Sequence, residues 1–347
     1  ESCFILFSLF FLFLFSIKSQ LLEEQSKLPM NTDEFDMENG IRNIESLGLI
    51  AEQMNKVQDF ITETDIENFY NYMIQAVDRV QNAIRYSDNV YKFIKANGVL
   101  RILSNNLTNT NVKLRIKLLL LLKDIFDTAP TVDALLPLNI ADRLIDIFEN
   151  DKNLALKAHA LDVLYKWLPN NPQAQIRIMK ISGLETFYEQ IDKLDIGVVK
   201  TLMELFNKIL EEHLEARNDE EMVNEVDGDK VKMYKSIGII ERLSTPKVCN
   251  GLLNIFEILW SYNRNESDNI KIILDLITKV KPFCVKFYKK KHKAIKLFED
   301  LLKFVTNEDK KEYLEKLDVN ATDIAVIIKE YMKKELNNVV VAAKDEF

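Results

Sequence analysis

Glycine and proline are scarce, with eight and seven among 347 residues, against averages of about 7% and 5% of a typical chain. So few turn formers exclude a chain built from many short strands and leave helices to dominate. Three histidines and three cysteines are all the sequence holds. None stands in a His-x-x-x-His or Cys-x-x-Cys arrangement, so zinc and dithiol redox chemistry have no ligand set to start from. Gly-x-Ser-x-Gly, Walker and dinucleotide-binding glycine motifs are missing too, which removes the common phosphate loops and nucleophile elbows. A basic balance is also lacking: 46 Lys and Arg face 54 Asp and Glu, for a net charge of −8. General nucleic-acid binding needs a basic footprint and is excluded on this ground. Apolar runs of membrane-spanning length are absent; Phe4 to Phe15 falls short of about 20 residues, and Leu118 to Leu122 lies between Lys117 and Lys123.

What is present at the ends reads as an address. The phenylalanine- and leucine-rich run Phe4 to Phe15 has the character of a signal-peptide core, and Ser19 offers a cleavage point before Gln20. Residues 1–19 are therefore expected to be a signal peptide, and the missing Met and basic start point to truncation upstream. Its removal leaves 45 basic and 53 acidic residues, still −8. Lys344-Asp345-Glu346-Phe347 differs from the Lys-Asp-Glu-Leu retrieval signal only in its last residue, so residues 341–347 are read as a retention tail and the endoplasmic reticulum lumen as the location. Sequons at Asn106, Asn265 and Asn320 are candidate N-glycan acceptors there. Cys249 and Cys284 could pair in such a compartment or remain buried thiols; their spacing does not decide.

Residues 20–62 read as an acidic flexible arm, with six acidic residues, one lysine and one proline between Gln20 and Gly40. Helical order is expected from Thr64-Asp65-Ile66-Glu67, which has capping-box form, with Ile66, Phe69, Met73, Val77, Val80 and Ile84 at helical spacing. Beyond it a segment of one type recurs at Gly98, Asn139, Gly183 and Gly238, at intervals of 41, 44 and 55 residues. Each start should mark a break between a short and a longer helix, at a residue that tolerates left-handed backbone. A basic residue follows at nearly constant offset, as Arg115, Lys157 and Lys200. A period of about 40 to 47 residues with two or three helices predicts an all-α, armadillo-like helical repeat solenoid over residues 63–340. The long interval is accounted for by an acidic insertion over residues 217–230.

No constellation carries catalysis. Glu211-Glu212 and Glu220-Glu221 are adjacent carboxylates, which do not face each other on a helix, and read as solvated charge. The lysines from Lys279 to Lys296 alternate with Val285, Ile295, Leu297 and Phe298 and read as the wet face of an amphipathic helix. The functional lead is the inner surface of the solenoid, built from the long helices. There Lys113, Lys117 and Asp124 share one stripe, His159, Asp162 and Lys166 a second, and Glu204, Asn207 and Glu211 a third that is rotated by about two positions. These nine are the candidate partner-binding residues. No cofactor or metal is called for.

The segments Lys157-Ala158-His159-Ala160-Leu161-Asp162-Val163-Leu164, Asn170-Asn171-Pro172-Gln173-Ala174-Gln175 and Ser182-Gly183-Leu184, with Val199 to Ile209 running into the acidic insertion before Tyr234, resemble the lumenal nucleotide exchange factors of the chaperone BiP, the SIL family. More distantly they are similar to the cytosolic HspBP/Fes exchange factors. The resemblance covers roughly Asp65 to Arg242. Leu118 to Leu122, where small residues are usual, and Asn139, where glycine is expected, depart from it. It implies a non-enzymatic, monomeric co-chaperone whose inner face clasps the BiP ATPase domain and holds its nucleotide cleft open, supporting protein folding and translocation. It also hints that the acidic arm approaches the chaperone's substrate-binding part. The alternatives are a secretory-pathway armadillo adaptor for another partner, or a helical enzyme whose site the sequence does not display.

Overall fold

Asparagine starts many of the helices. The side chain of Asn111 accepts from the Leu114 amide, Asn153 from Ala155 and Leu156, and Asn320 from Thr322 and Asp323. Each satisfies first-turn N–H groups that a helix cannot pair internally. In the computed structural model, which describes residues 35–56, 62–181, 183, 191–218, 225–262, 267–289 and 291–333, these residues are helical with no strand. The expected signal peptide, residues 20–34 and 57–61 of the expected arm, residues 184–190, residues 219–224, Asn265, Lys290 and the expected retention tail lie outside the described residues.

The chain divides into two compact units, one through Asn105 and one from Asn106. In the first, α1 (Met37–Lys56) packs on α2 (Glu63–Ala83) and α3 (Ser87–Lys95). This corrects the flexible arm expected over 20–62 within residues 37–56. Met37, Ile41, Ile44, Leu47, Ala51 and Met54 recur at helical spacing and are buried, so an acidic composition concealed a complete apolar stripe. Arg101 also ties α1 down, reaching Glu38 at 2.9 Å and Glu45 at 2.6 Å. The α2 cap is Thr62, whose hydroxyl oxygen accepts from the Asp65 amide, two residues before the expected start at Thr64.

In the second unit, α4 (Val112–Thr128), α6 (Leu154–Trp167), α8 (Ile196–Asn218) and α12 (Ser267–Tyr288) pack in succession. On their flank, α5 (Asn139–Asn150) packs on α6 and on α7 (Pro172–Ile181), and α9 (Glu225–Ile237) packs on α7 and α8. The short α10 (Ile239–Leu243) leads into α11 (Pro246–Tyr262), which packs on α12 and α8. This alternation of flanking and ladder helices is the armadillo-like repeat. Leu118, Leu119, Leu121 and Leu122 are all buried, so the leucine run is core. The acidic insertion is in part helix: residues 217–218 end α8 and 225–230 begin α9.

The repeat starts differ from one another. Gly183 and Gly238 have the left-handed backbone expected, at φ 74° and 72°. Asn139 instead opens α5, and the turns that need left-handed backbone sit at Asn97 (φ 55°) and Asn170 (φ 61°). Gly98 is right-handed, at φ −56°. Its requirement is space: a Cβ there would lie 2.4 Å from the buried ring of Phe93.

The remaining helices, α13 (His292–Val305), α14 (Lys311–Lys316) and α15 (Ala321–Met332), close the unit. Phe298 and Tyr331 stack at 4.5 Å, and the Tyr331 hydroxyl donates to the Ile277 carbonyl. Cys249 on α11 and Cys284 on α12 form a disulfide, with Cα atoms 5.4 Å apart and both residues fully buried.

Candidate functional site

The three stripes lie on α4, α6 and α8, which are consecutive neighbours. On α4, Lys113 is exposed, and Lys117 and Asp124 are partly exposed. On α6, His159 and Asp162 are one turn apart, with Nδ1 and Oδ2 at 3.8 Å. The His159 Nδ1 is shielded and has no hydrogen-bond partner. Lys166 joins α6 to α4 by reaching Asp127 at 2.6 Å. Lys208 of α8 sits 3.9 Å above the Tyr165 ring of α6, which joins α6 to α8.

On α8, Glu204 is 4.0 Å from Lys200, while Asn207 and Glu211 both receive the Lys279 ammonium, at 2.8 and 3.3 Å. Lys279 belongs to α12, so the third stripe continues onto a fourth helix that the sequence reading stopped short of. Between Lys271 and Lys279 on that helix stands Asp275, whose carboxyl burial holds above its ordinary pKa. Neighbouring cations of the lysine-rich segment are also engaged: Lys281 meets Glu330 at 2.6 Å, Lys293 meets Glu257 at 3.8 Å, and Lys291 donates to Asn250.

The aligned basic residues do a different job. The Arg115 Nε donates to the Leu107 carbonyl at 2.8 Å, and its guanidinium meets Asp151 at 2.6 Å. The Lys157 ammonium, only 4% exposed, donates to the carbonyls of Phe148 and Glu149 at 2.6 and 2.9 Å, capping the end of α5. Burial lowers its pKa. Lys157→Met strips both carbonyls of this donor and is expected to cost about 1–2 kcal/mol in denaturant unfolding.

Glu212 corrects the reading of Glu211-Glu212 as solvated charge. Its carboxylate accepts from the Asn170 amide at 2.8 Å, from Gln175 Nε2 at 3.0 Å and from the Tyr234 hydroxyl at 2.9 Å. Gln175 Nε2 also donates to the Leu168 carbonyl, which leaves its oxygen toward His213 Nε2 at 2.9 Å. His213 is 2% exposed, with its ring edge-on to Tyr234. The sequence signal was faint, because the three donors come from turn, α7 and α9 positions far apart in the chain.

Burial, then the Arg217 charge, lowers the His213 pKa to about 4 from an ordinary value of 6.5. The unfolded chain therefore binds the extra proton first, so this contribution to stability is complete above pH 6.5 and is lost as pH falls toward 4. Between pH 7 and 5 it amounts to about 2 kcal/mol. In His213→Gln the difference in unfolding free energy between the two pH values, read from denaturant titrations, should shrink by that amount.

Of the sequons, Asn106 is corrected: its side chain is buried at 5% exposure, which leaves no room for a glycan. Asn320 lies at the surface, capping α15 with its Oδ1.

Stacked helix repeats with a polar ladder along successive long helices define a helical-repeat, protein-binding module. The chain belongs to the SIL1/FES1/HPBP1 family, whose C-terminal domain model matches residues 89–329. That family consists of nucleotide exchange factors for Hsp70 chaperones, co-chaperones that bind the Hsp70-type ATPase domain. No curated protein matches the chain. Similar solved structures include a designed armadillo repeat protein in complex with the peptide (KR)4, at 12% identity, TM-score 0.46, and 83% and 99% coverage of the two chains. An engineered protein matches at 13% identity, TM-score 0.48, and 83% and 97% coverage.

Proposed function

We propose that this chain is a monomeric nucleotide exchange factor of BiP in the endoplasmic reticulum lumen, and that it binds through the α4–α6–α8 ladder. The observation that carries the reading is the polar ladder itself: stripes from three successive helices run side by side within the span of the family match. Lysine, histidine and carboxylate groups alternate along it, which suits a partner surface of mixed charge. The buried disulfide and the apolar run Phe4 to Phe15 support the oxidising, secretory location.

No bond is made or broken. The factor acts by preferring the open conformer of the ATPase domain, which shifts the chaperone toward it and releases ADP. Linkage makes this reciprocal, so ATP binding expels the factor. Weakening nucleotide affinity about 1000-fold requires about 4 kcal/mol of coupling, within reach of an interface with a few anchor residues. Gel filtration of the chain with the BiP ATPase domain tests the reading. A complex that forms without nucleotide and dissociates on adding Mg·ATP is expected. Absence of a complex under both conditions sinks it.

A further inference from the structure

The Glu212 carboxylate holds three elements at once: the turn after α6 through Asn170, α7 through Gln175, and α9 through Tyr234. What it receives is one amide N–H, one side-chain amide N–H and one phenol O–H. Every one of them donates, so the position calls for an acceptor with no hydrogen of its own, which an ionised carboxylate is. Asn170 reaches it in left-handed backbone, and Asn171, next along, caps α7 by accepting from the Ala174 amide. The turn is therefore fixed at both its residues.

The turn lies four residues after Lys166, and Glu212 lies next to Glu211. Lys166 contacts Asp127 of α4, and Glu211 contacts Lys279 of α12. We propose that Glu212 is a positioning residue for partner binding, fixing the register between the α6 and α8 stripes through its hydrogen bond to Asn170. The inference rests on the ladder being the partner-binding face.

Glu212→Gln keeps the shape of the side chain but turns an N–H toward one of three donors, and Tyr234→Phe removes a single donor while keeping the ring. Two readouts are taken well below the unfolding temperature: the half-saturating concentration for accelerating ADP release from BiP, and hydrogen exchange of the Asn170 amide. In Glu212→Gln the half-saturating concentration should rise at least 10-fold with the maximal rate kept, and Asn170 should exchange at least 10-fold faster. In Tyr234→Phe, which keeps the ring and loses one donor, both should shift in the same direction by less. Glu212→Asp should restore part of the affinity.

If Asn170 exchange accelerates while the half-saturating concentration stays put, the residue is structural only and the inference is wrong. Unchanged Asn170 exchange overturns it as well. If the wild-type chain itself fails to accelerate release, the underlying reading has failed and takes this one with it; an active wild type with an indifferent Glu212→Gln convicts the inference alone.

Discussion

The combined variant Lys117→Glu, His159→Glu and Lys166→Glu is expected to lose affinity for the BiP ATPase domain by roughly 10²–10³-fold, equivalent to about 3–4 kcal/mol. Each change removes one favourable contact and puts a like charge opposite any carboxylate the partner presents, at about 1–2 kcal/mol apiece before coupling between neighbours. Folding should suffer little. Lys117 and His159 are part-exposed, and the Lys166–Asp127 pair is exposed on both sides, so losing it costs under about 1 kcal/mol. Circular dichroism should stay helical while calorimetric titration loses its signal. Undiminished affinity in a helical variant would move the binding site off this face.

Removing the disulfide should have the largest effect on stability. Cys249 and Cys284 are 35 residues apart in sequence, and closing a loop of that length restricts the unfolded chain by about 4 kcal/mol in the entropy model. Both residues are also fully buried, and the Tyr288 hydroxyl donates to the Cys249 carbonyl at 2.7 Å, so the bond sits within a packed region. Cys249→Ala with Cys284→Ala, or reduction of the wild type, is expected to lower the unfolding free energy by about 3–4 kcal/mol. Guanidinium titration with and without reductant reads this directly. Equal midpoints would mean that the pair is not joined in the folded protein.

Periodicity carried the architecture a long way. The spacing from Gly98 to Gly238 led to stacked repeats, and the stripes chosen from it fall on α4, α6 and α8, which are neighbours in the structure. Where the reading failed, a local signal outweighed a distributed one. Acidic residues before Gly40 concealed the apolar stripe Met37, Ile41, Ile44, Leu47, Ala51 and Met54, whose burial makes a helix of that stretch. The constant offset of Arg115 and Lys157 was real but structural, since both donate to carbonyls at the end of the preceding segment. Glu212 was lost because adjacent carboxylates diverge around a helix, and one of them can turn inward to donors that only the tertiary fold supplies. Sequence spacing could not choose between a disulfide and two thiols for Cys249 and Cys284, because it fixes neither distance nor direction.

The central claim is that this chain opens the nucleotide cleft of a lumenal Hsp70. Stopped-flow release of a fluorescent ADP analogue from purified BiP, with the full chain at increasing concentration, tests it most directly. Release is predicted to accelerate to a plateau, with the Lys117→Glu, His159→Glu and Lys166→Glu variant shifted to far higher concentration. A release rate unchanged at saturating protein would contradict the account.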